Sequence, residues 1–105
     1  KDFGFTRVFS AKASQEETYD STMRPLVDDV FAARNALLFA YGMTNAGKTY
    51  TVLGEEGSPG LIPQALTIND DSEEGSQVRV EMSFLEIYNE NVFDLLATSS
   101  PVRRS

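Results

Sequence analysis

Residues Gly42-Met43-Thr44-Asn45-Ala46-Gly47-Lys48-Thr49 follow the spacing Gly, four residues, Gly-Lys-Thr, and no other stretch constrains the fold of this chain as much. Glycines let a backbone curl with its N–H groups pointing inward at an anion. A lysine at that offset reaches the β- and γ-phosphates, and the following hydroxyl is a ligand for Mg²⁺. The pattern therefore predicts polyphosphate binding by residues 42–49, with Lys48 on the phosphates and Thr49 on the metal. The flanks agree with it. Ala36-Leu37-Leu38-Phe39-Ala40-Tyr41 is an unbroken apolar run of the length of a strand buried on both faces of a parallel sheet. Lys48 to Leu53 contains neither Gly nor Pro and can open a helix, whose N-terminus would add free N–H groups and partial positive charge at the phosphate. The plainer alternative is a Gly-rich turn between two elements with a solvated lysine.

A chain of 105 residues has room for one domain, yet it is short for a nucleotide-binding sheet of several βα units. It starts at Lys1 rather than Met, so a piece of a larger domain is expected. Nine basic against sixteen acidic residues give a net charge of −7, which argues against a nucleic-acid-gripping surface. The chain has no Cys and no His, which excludes disulfides, thiolate metal sites and imidazole ligands. No apolar run approaches the ~20 residues of a membrane span, and no signal-peptide pattern opens the chain. A soluble, cytosolic protein is expected.

Along the chain, Phe3, Phe5, Val8 and Phe9 suggest a strand running into a turn. Ser14-Gln15-Glu16-Glu17 matches a capping box, in which Ser14 caps a backbone N–H and Glu17 reaches back to the Ser14 N–H. The helix it opens carries Tyr19, Met23, Leu26, Val27, Val30 and Phe31 as a core stripe, with Asp20 and Arg24 spaced for an i,i+4 ion pair. Pro25 predicts a kink, since it removes an N–H bond to the Ser21 carbonyl, and the helix should resume to about Arg34 and end at a left-handed Asn35. Past the loop, Gly54 to Gly60 must interrupt the second helix, and Leu61 to Leu66 can resume it with Pro63 in its first turn. The acidic stretch Asn69 to Ser76 fits a solvated loop and lacks the spacing of a calcium loop. Val78 to Tyr88 predicts a long strand whose phase slips near Phe84 and Leu85, Asn89-Glu90-Asn91 a turn, and Val92 to Leu96 a return into the core. Thr98 to Ser105 is polar and expected to fray; within it Ser100-Pro101-Val102-Arg103 has the form that proline-directed kinases favour.

Taken together, several ordered segments resemble the motor domain of the kinesin family: Phe5 to Phe9, Pro25 to Val30, Phe39 to Thr51, Gly60 to Pro63, Ser83 to Glu90 and Val92 to Leu96. The runs Phe-Ala-Tyr-Gly before the loop and Ser-Phe-Leu-Glu-Ile-Tyr-Asn-Glu after it carry more specificity than the glycine loop, which many nucleotidases share. The resemblance implies an α/β P-loop NTPase fold, a three-layer sandwich with a central mixed β-sheet flanked by helices, of which residues 1–105 are a part. It implies that Gly42, Met43, Thr44, Asn45, Ala46, Gly47, Lys48 and Thr49 wrap the phosphates of ATP or ADP, with Mg²⁺ on Thr49, and that Tyr50 stands near the adenine. Most family members carry Gln at the place of Met43 and a Gly-Ser pair near Asn45-Ala46; the Thr-Asn-x-Gly form is similar to the cytokinesis-related kinesins. The segment between Pro63 and Val78 is about one helical turn short of the family pattern.

The resemblance further implies a parent ATPase that moves along microtubules, placed on the cytoskeleton in the cytoplasm, including the spindle. Its two switch segments and its microtubule-contacting elements have no counterpart in residues 1–105, so this stretch alone is expected not to turn over ATP. The alternatives are a generic P-loop NTPase and a truncated, non-catalytic nucleotide-binding or regulatory module. Direction of travel, cargo and oligomeric state have no signature here.

Overall fold

The computed structural model describes residues 1–67 and 79–97. They fall into two compact units, Lys1–Glu74 and Gly75–Ser105. The first holds helices α1 (Gln15–Thr22), α2 (Arg24–Phe31) and α3 (Lys48–Val52), a short hairpin of β1 (Gly54–Glu55) and β2 (Ser58–Pro59), and helix α4 (Leu61–Thr67). The second holds the hairpin of β3 (Leu85–Tyr88) and β4 (Asn91–Asp94).

Helix α1 begins where the capping pattern places it, with Ser14 extended (φ −78°, ψ 163°) and its Oγ accepting the Glu17 N–H at 3.0 Å. The other half of the capping box is not made: the Glu17 carboxylate accepts instead from Arg7, 3.4 Å away. The predicted single kinked helix is two helices. Met23 ends α1 with its N–H on the Tyr19 carbonyl (2.9 Å), and its own carbonyl accepts from Val27 (3.0 Å) to start α2. Pro25, without an N–H, sits in the first turn of α2, where that donor has no partner to lose. Asp20 and Arg24 pair across the break at 2.7 Å.

Helix α2 stops at Phe31, short of Arg34, and the left-handed residue is Ala33 (φ 59°) rather than Asn35. The Arg34 N–H reaches the Asp29 carbonyl (2.9 Å) and the Ala33 N–H reaches the Val30 carbonyl (3.0 Å), the paired bonds of a Schellman motif. These bonds offset the ~1–2 kcal/mol that a left-handed alanine costs. The Arg34 guanidinium also folds back onto the Asp29 carboxylate at 2.6 Å.

The core of this unit is built by α1 against α2 and α4. Tyr19 and Leu61 are buried, each 3% exposed, and Met23, Leu26, Val27 and Ile62 are half-buried around them. Val30 and Phe31, expected in the same stripe, remain exposed. The Tyr19 hydroxyl is buried without a hydrogen-bond partner among the described residues. Burial pushes its pKa above the ordinary tyrosine value, with Asp20 and Asp28 adding to the rise and Arg24 opposing it. The Arg24 guanidinium is itself held above its usual range, first by its hydrogen bond to Asp20.

The strands expected over residues 3–9 and 36–41 are not formed, and Leu37, Phe39 and Tyr41 lie open to solvent. A strand is a hydrogen-bonded ladder, and neither segment finds a pairing partner among the described residues; apolar sequence alone does not hold it in register. After α3 the chain does break as the glycines dictate. The interruption is a hairpin pairing Gly54 with Pro59 and Glu55 with Ser58, closed by the Gly60 N–H on the Leu53 carbonyl at 3.2 Å. Its two ends touch so closely that a Cβ on Gly60 would lie 2.6 Å from the Gly54 nitrogen and 2.7 Å from the Leu53 carbonyl carbon. Helix α4 then resumes with Pro63 in its first turn.

In the second unit the long predicted strand is confined to Leu85–Tyr88, and residues 79–84 lie outside it. Asn89 (φ 47°) and Glu90 (φ 64°) form a two-residue turn with both backbones left-handed, so that Asn91 already belongs to β4. That is the type I′ geometry that matches the twist of paired strands. The Asn91 side chain donates to the Asn89 carbonyl at 3.0 Å. The acidic loop at 69–76, the phase of Val78 and the tail with Ser100 lie outside the described residues. No helix among the described residues is long and apolar enough to cross a membrane.

Candidate phosphate-binding site

The glycine loop joins an irregular apolar segment to the first residue of α3. Its curl comes from two left-handed residues, Asn45 (φ 62°) and Gly47 (φ 102°, ψ 14°), with the Ala46 N–H closing a turn onto the Met43 carbonyl at 3.1 Å. Asparagine tolerates that region, and Gly47 occupies it without a Cβ to resist. Helix α3 follows at once, with Thr51 N–H on the Gly47 carbonyl (2.9 Å) and Leu53 N–H on the Thr49 carbonyl (2.8 Å). At five residues α3 is too short to carry much macrodipole, so the attraction for an anion rests on the loop N–H groups and on Lys48.

Lys48 is half-buried while the rest of the loop is exposed. Its Nζ donates to the carbonyls of Gly42 and Met43, 2.6 Å each, so the side chain spans the loop and draws its first two residues toward the helix. An ammonium has three donors, and two carbonyls leave the third for an oxyanion.

Two spaces adjoin Lys48. A cleft of about 670 Å³ lies between the apolar segment Leu38 to Tyr41 and the helices, with Phe9, Thr18, Val52 and Leu61 among its walls. A smaller hollow of about 280 Å³ is bounded by Asn45, Gly47, Lys48, Thr49 and Tyr50. The smaller one has the chemistry for phosphate: an ammonium, a hydroxyl and loop backbone, with an aromatic ring at its edge. The larger shares Gly47, Lys48 and Tyr50 with it but lacks Asn45 and Thr49, the candidate metal ligand.

The structure thus brings Asn45, Gly47, Lys48, Thr49 and Tyr50 together at one hollow and ties Gly42 and Met43 to them through the Lys48 ammonium. Thr44 lies in the turn with Asn45, and Ala46 faces the larger cleft rather than the hollow. Among the described residues no cluster of three or more His, Cys, Asp or Glu could cage a metal ion. Thr49 as a single hydroxyl donor fits Mg²⁺ that takes its remaining ligands from phosphate oxygens and water.

Three residues at this place have no signature in the loop pattern. Gln15 Nε2 donates to the Tyr50 carbonyl (2.7 Å), and the Tyr50 and Ser58 hydroxyls share a hydrogen bond (3.1 Å). Gln64 Nε2 donates to the carbonyls of Pro59 (2.9 Å) and Gln15 (3.3 Å). Gln15 lies 35 positions before Tyr50, and only the fold brings the two together.

The kinesin motor domain family matches residues 1–105. Kinesin-like protein 5 of Schizosaccharomyces pombe is 42% identical over 105 residues, covering 94% of this chain and 12% of that protein. Kinesin-like protein KIF11-B of Xenopus laevis is 40% identical over 115 residues, covering 97% of this chain and 11% of its own length. Kinesin-like protein KIP3 of Saccharomyces cerevisiae is 40% identical over 107 residues, at 97% and 13%. The chain spans about an eighth of the length of these relatives.

Proposed function

Since this chain belongs to the kinesin family, we propose that residues 42–50 bind ATP together with Mg²⁺ as the nucleotide site of a microtubule motor. The observation that carries this is the Lys48 ammonium, fixed by two loop carbonyls at the rim of the hollow that Thr49 and Tyr50 also bound. In that arrangement Lys48 turns its free donor to the β- and γ-phosphates, the N–H groups of Asn45, Gly47 and Lys48 hold phosphate oxygens while that of Ala46 closes the turn, and Tyr50 sits at the base end. The Thr49 hydroxyl is the protein's ligand to Mg²⁺, which when bound neutralises charge on the phosphates. ADP would use the same contacts with one fewer phosphate.

Phosphoryl transfer also needs a positioned water and charge stabilisation beyond a glycine loop. We assign those tasks to switch segments outside residues 1–105, and microtubule contact likewise, so that these residues are one part of the motor domain. The α/β P-loop fold implied by the family accounts for the open apolar run at Leu37, Phe39 and Tyr41: in the whole domain it is a strand of a central mixed sheet flanked by helices. Location on the cytoplasmic microtubule cytoskeleton follows from the same function.

The test is Lys48→Ala in the protein that carries this sequence. Loss of a charge-assisted hydrogen bond predicts ATP affinity lower by about 10- to 100-fold, read by calorimetry, with microtubule-stimulated phosphate release falling in step. Unchanged affinity and turnover would remove the loop from the mechanism.

A further inference from the structure

The hydrogen bonds around Tyr50 close a ring. Gln15, in the first turn of α1, donates to the Tyr50 main-chain carbonyl at 2.7 Å. The Tyr50 hydroxyl meets Ser58 Oγ at 3.1 Å in the hairpin, and Ser58 leads covalently to Pro59. Gln64 of α4 donates one side-chain amide nitrogen to both the Pro59 carbonyl (2.9 Å) and the Gln15 carbonyl (3.3 Å), returning to the start. Four elements that share no continuous backbone ladder are thereby tied to one aromatic residue. Tyr50 is held at both ends, main chain and phenol, while the residue as a whole is 47% exposed and borders the hollow that contains Lys48 and Thr49.

From this geometry we infer that Gln15 and Ser58 are positioning residues for the base of the bound nucleotide: they fix the Tyr50 ring at the edge of the hollow, and Gln64 couples the two. The inference rests on the nucleotide reading of the loop and extends it to three residues that touch neither the phosphates nor the metal. A ring free to rotate about χ1 would have to be ordered each time a base stacked on it; a ring already bonded at its hydroxyl does not. The phosphates, held by Lys48 and the loop, gain nothing from the same bonds. The ring of contacts therefore acts on the base end alone.

The experiment compares two ligands in the full protein: Mg-ATP, which has a base, and Mg-tripolyphosphate, which does not. Gln15→Leu and Ser58→Ala should each weaken ATP about three- to tenfold, the effect of one lost hydrogen bond, with tripolyphosphate affinity unchanged. Ser58→Thr, which keeps the hydroxyl, should restore ATP binding. Tyr50→Phe should match Ser58→Ala, and combining the two should add nothing, because both delete the same bond. Equal weakening of ATP and tripolyphosphate would mean a merely structural role and overturn the inference. So would unchanged ATP affinity in both variants of a protein that binds both ligands. A wild-type protein that binds neither ligand overturns the nucleotide reading itself, and this inference with it.

Discussion

Gly47→Ala isolates the backbone requirement of the loop, because it adds a methyl group and nothing else. Gly47 has φ 102° and ψ 14°, and a Cβ built on it would meet no atom within 4 Å. The substitution thus carries no steric clash, and its whole cost is conformational. A left-handed backbone costs an L-residue about 1–2 kcal/mol, and this φ lies well past the usual left-handed centre of about 57°. A cost of about 2 kcal/mol is the working figure, within the range of about 1–3 for residues held in sparse regions. Two outcomes divide that sum. If the alanine loop keeps its curl, the protein loses stability and nucleotide affinity holds. If the loop relaxes to negative φ in the free protein, stability is spared and ATP must restore the curl on binding, which weakens it up to about 30-fold at 1.4 kcal/mol per tenfold. Urea unfolding and calorimetric titration of the same preparation measure both parts. Gly47→Asn should lose less in total, since asparagine enters this region more readily. A Gly47→Ala protein with both stability and ATP affinity at wild-type values would refute the claim that the loop needs this backbone.

Tyr19→Phe should stabilise the fold by about 1 kcal/mol, because it removes a buried hydroxyl that has no partner among the described residues. Burial raises the folded-state pKa of Tyr19, so the native protein keeps its proton where the unfolded chain has lost it; wild-type stability should fall as pH rises above about 10, and the phenylalanine variant should lack that part of the fall in urea titrations at pH 8 and pH 11. Gly60→Ala should destabilise by about 1–3 kcal/mol through overpacking, since its Cβ would press on the backbone of Thr51, Leu53 and Gly54, whereas Gly4→Ala, with nothing within 4 Å, should stay within about 0.5 kcal/mol; thermal unfolding compares the two. Thr49→Ala should reduce Mg²⁺-dependent turnover more than nucleotide affinity, and equal losses with and without Mg²⁺ would count against its role as a metal ligand.

What the sequence made legible was governed by near neighbours. The Ser14 cap, the Asp20–Arg24 pair, the interruption after α3 and the hairpin turn near Asn89 each depend on residues within a few positions, and each is present. The left-handed end of α2 fell on Ala33 instead of Asn35 because a Schellman closure and Arg34 outweighed residue preference. The strands at 3–9 and 36–41 were written as apolar runs, but a strand depends on a partner that its own residues do not encode. At the candidate site the same division holds. Spacing marked Lys48, Thr49 and the glycines, while the grip on Tyr50 comes from Gln15 and Ser58, coupled by Gln64, whose residue types are common and whose meeting is a matter of tertiary geometry.

The close approach of Gly54 and Gly60 has a consequence for how this chain can vary. The Gly60 N–H bonds to the Leu53 carbonyl across the base of the hairpin, so α3 and α4 are joined by a clasp; Ser58 and Pro59 are held by Tyr50 and Gln64, and only the tip at Glu56 and Gly57 hangs outside these bonds. The number of residues at that tip is then nearly free. Doubling such a loop costs only about 0.6 kcal/mol in closure entropy, and nothing at the clasp senses what the tip at Glu56 and Gly57 carries. The tip is in effect an interchangeable cassette carried between α3 and α4, a place where length and chemistry can be rewritten while Ser58 keeps its bond to Tyr50 and the loop that opens α3 keeps its shape.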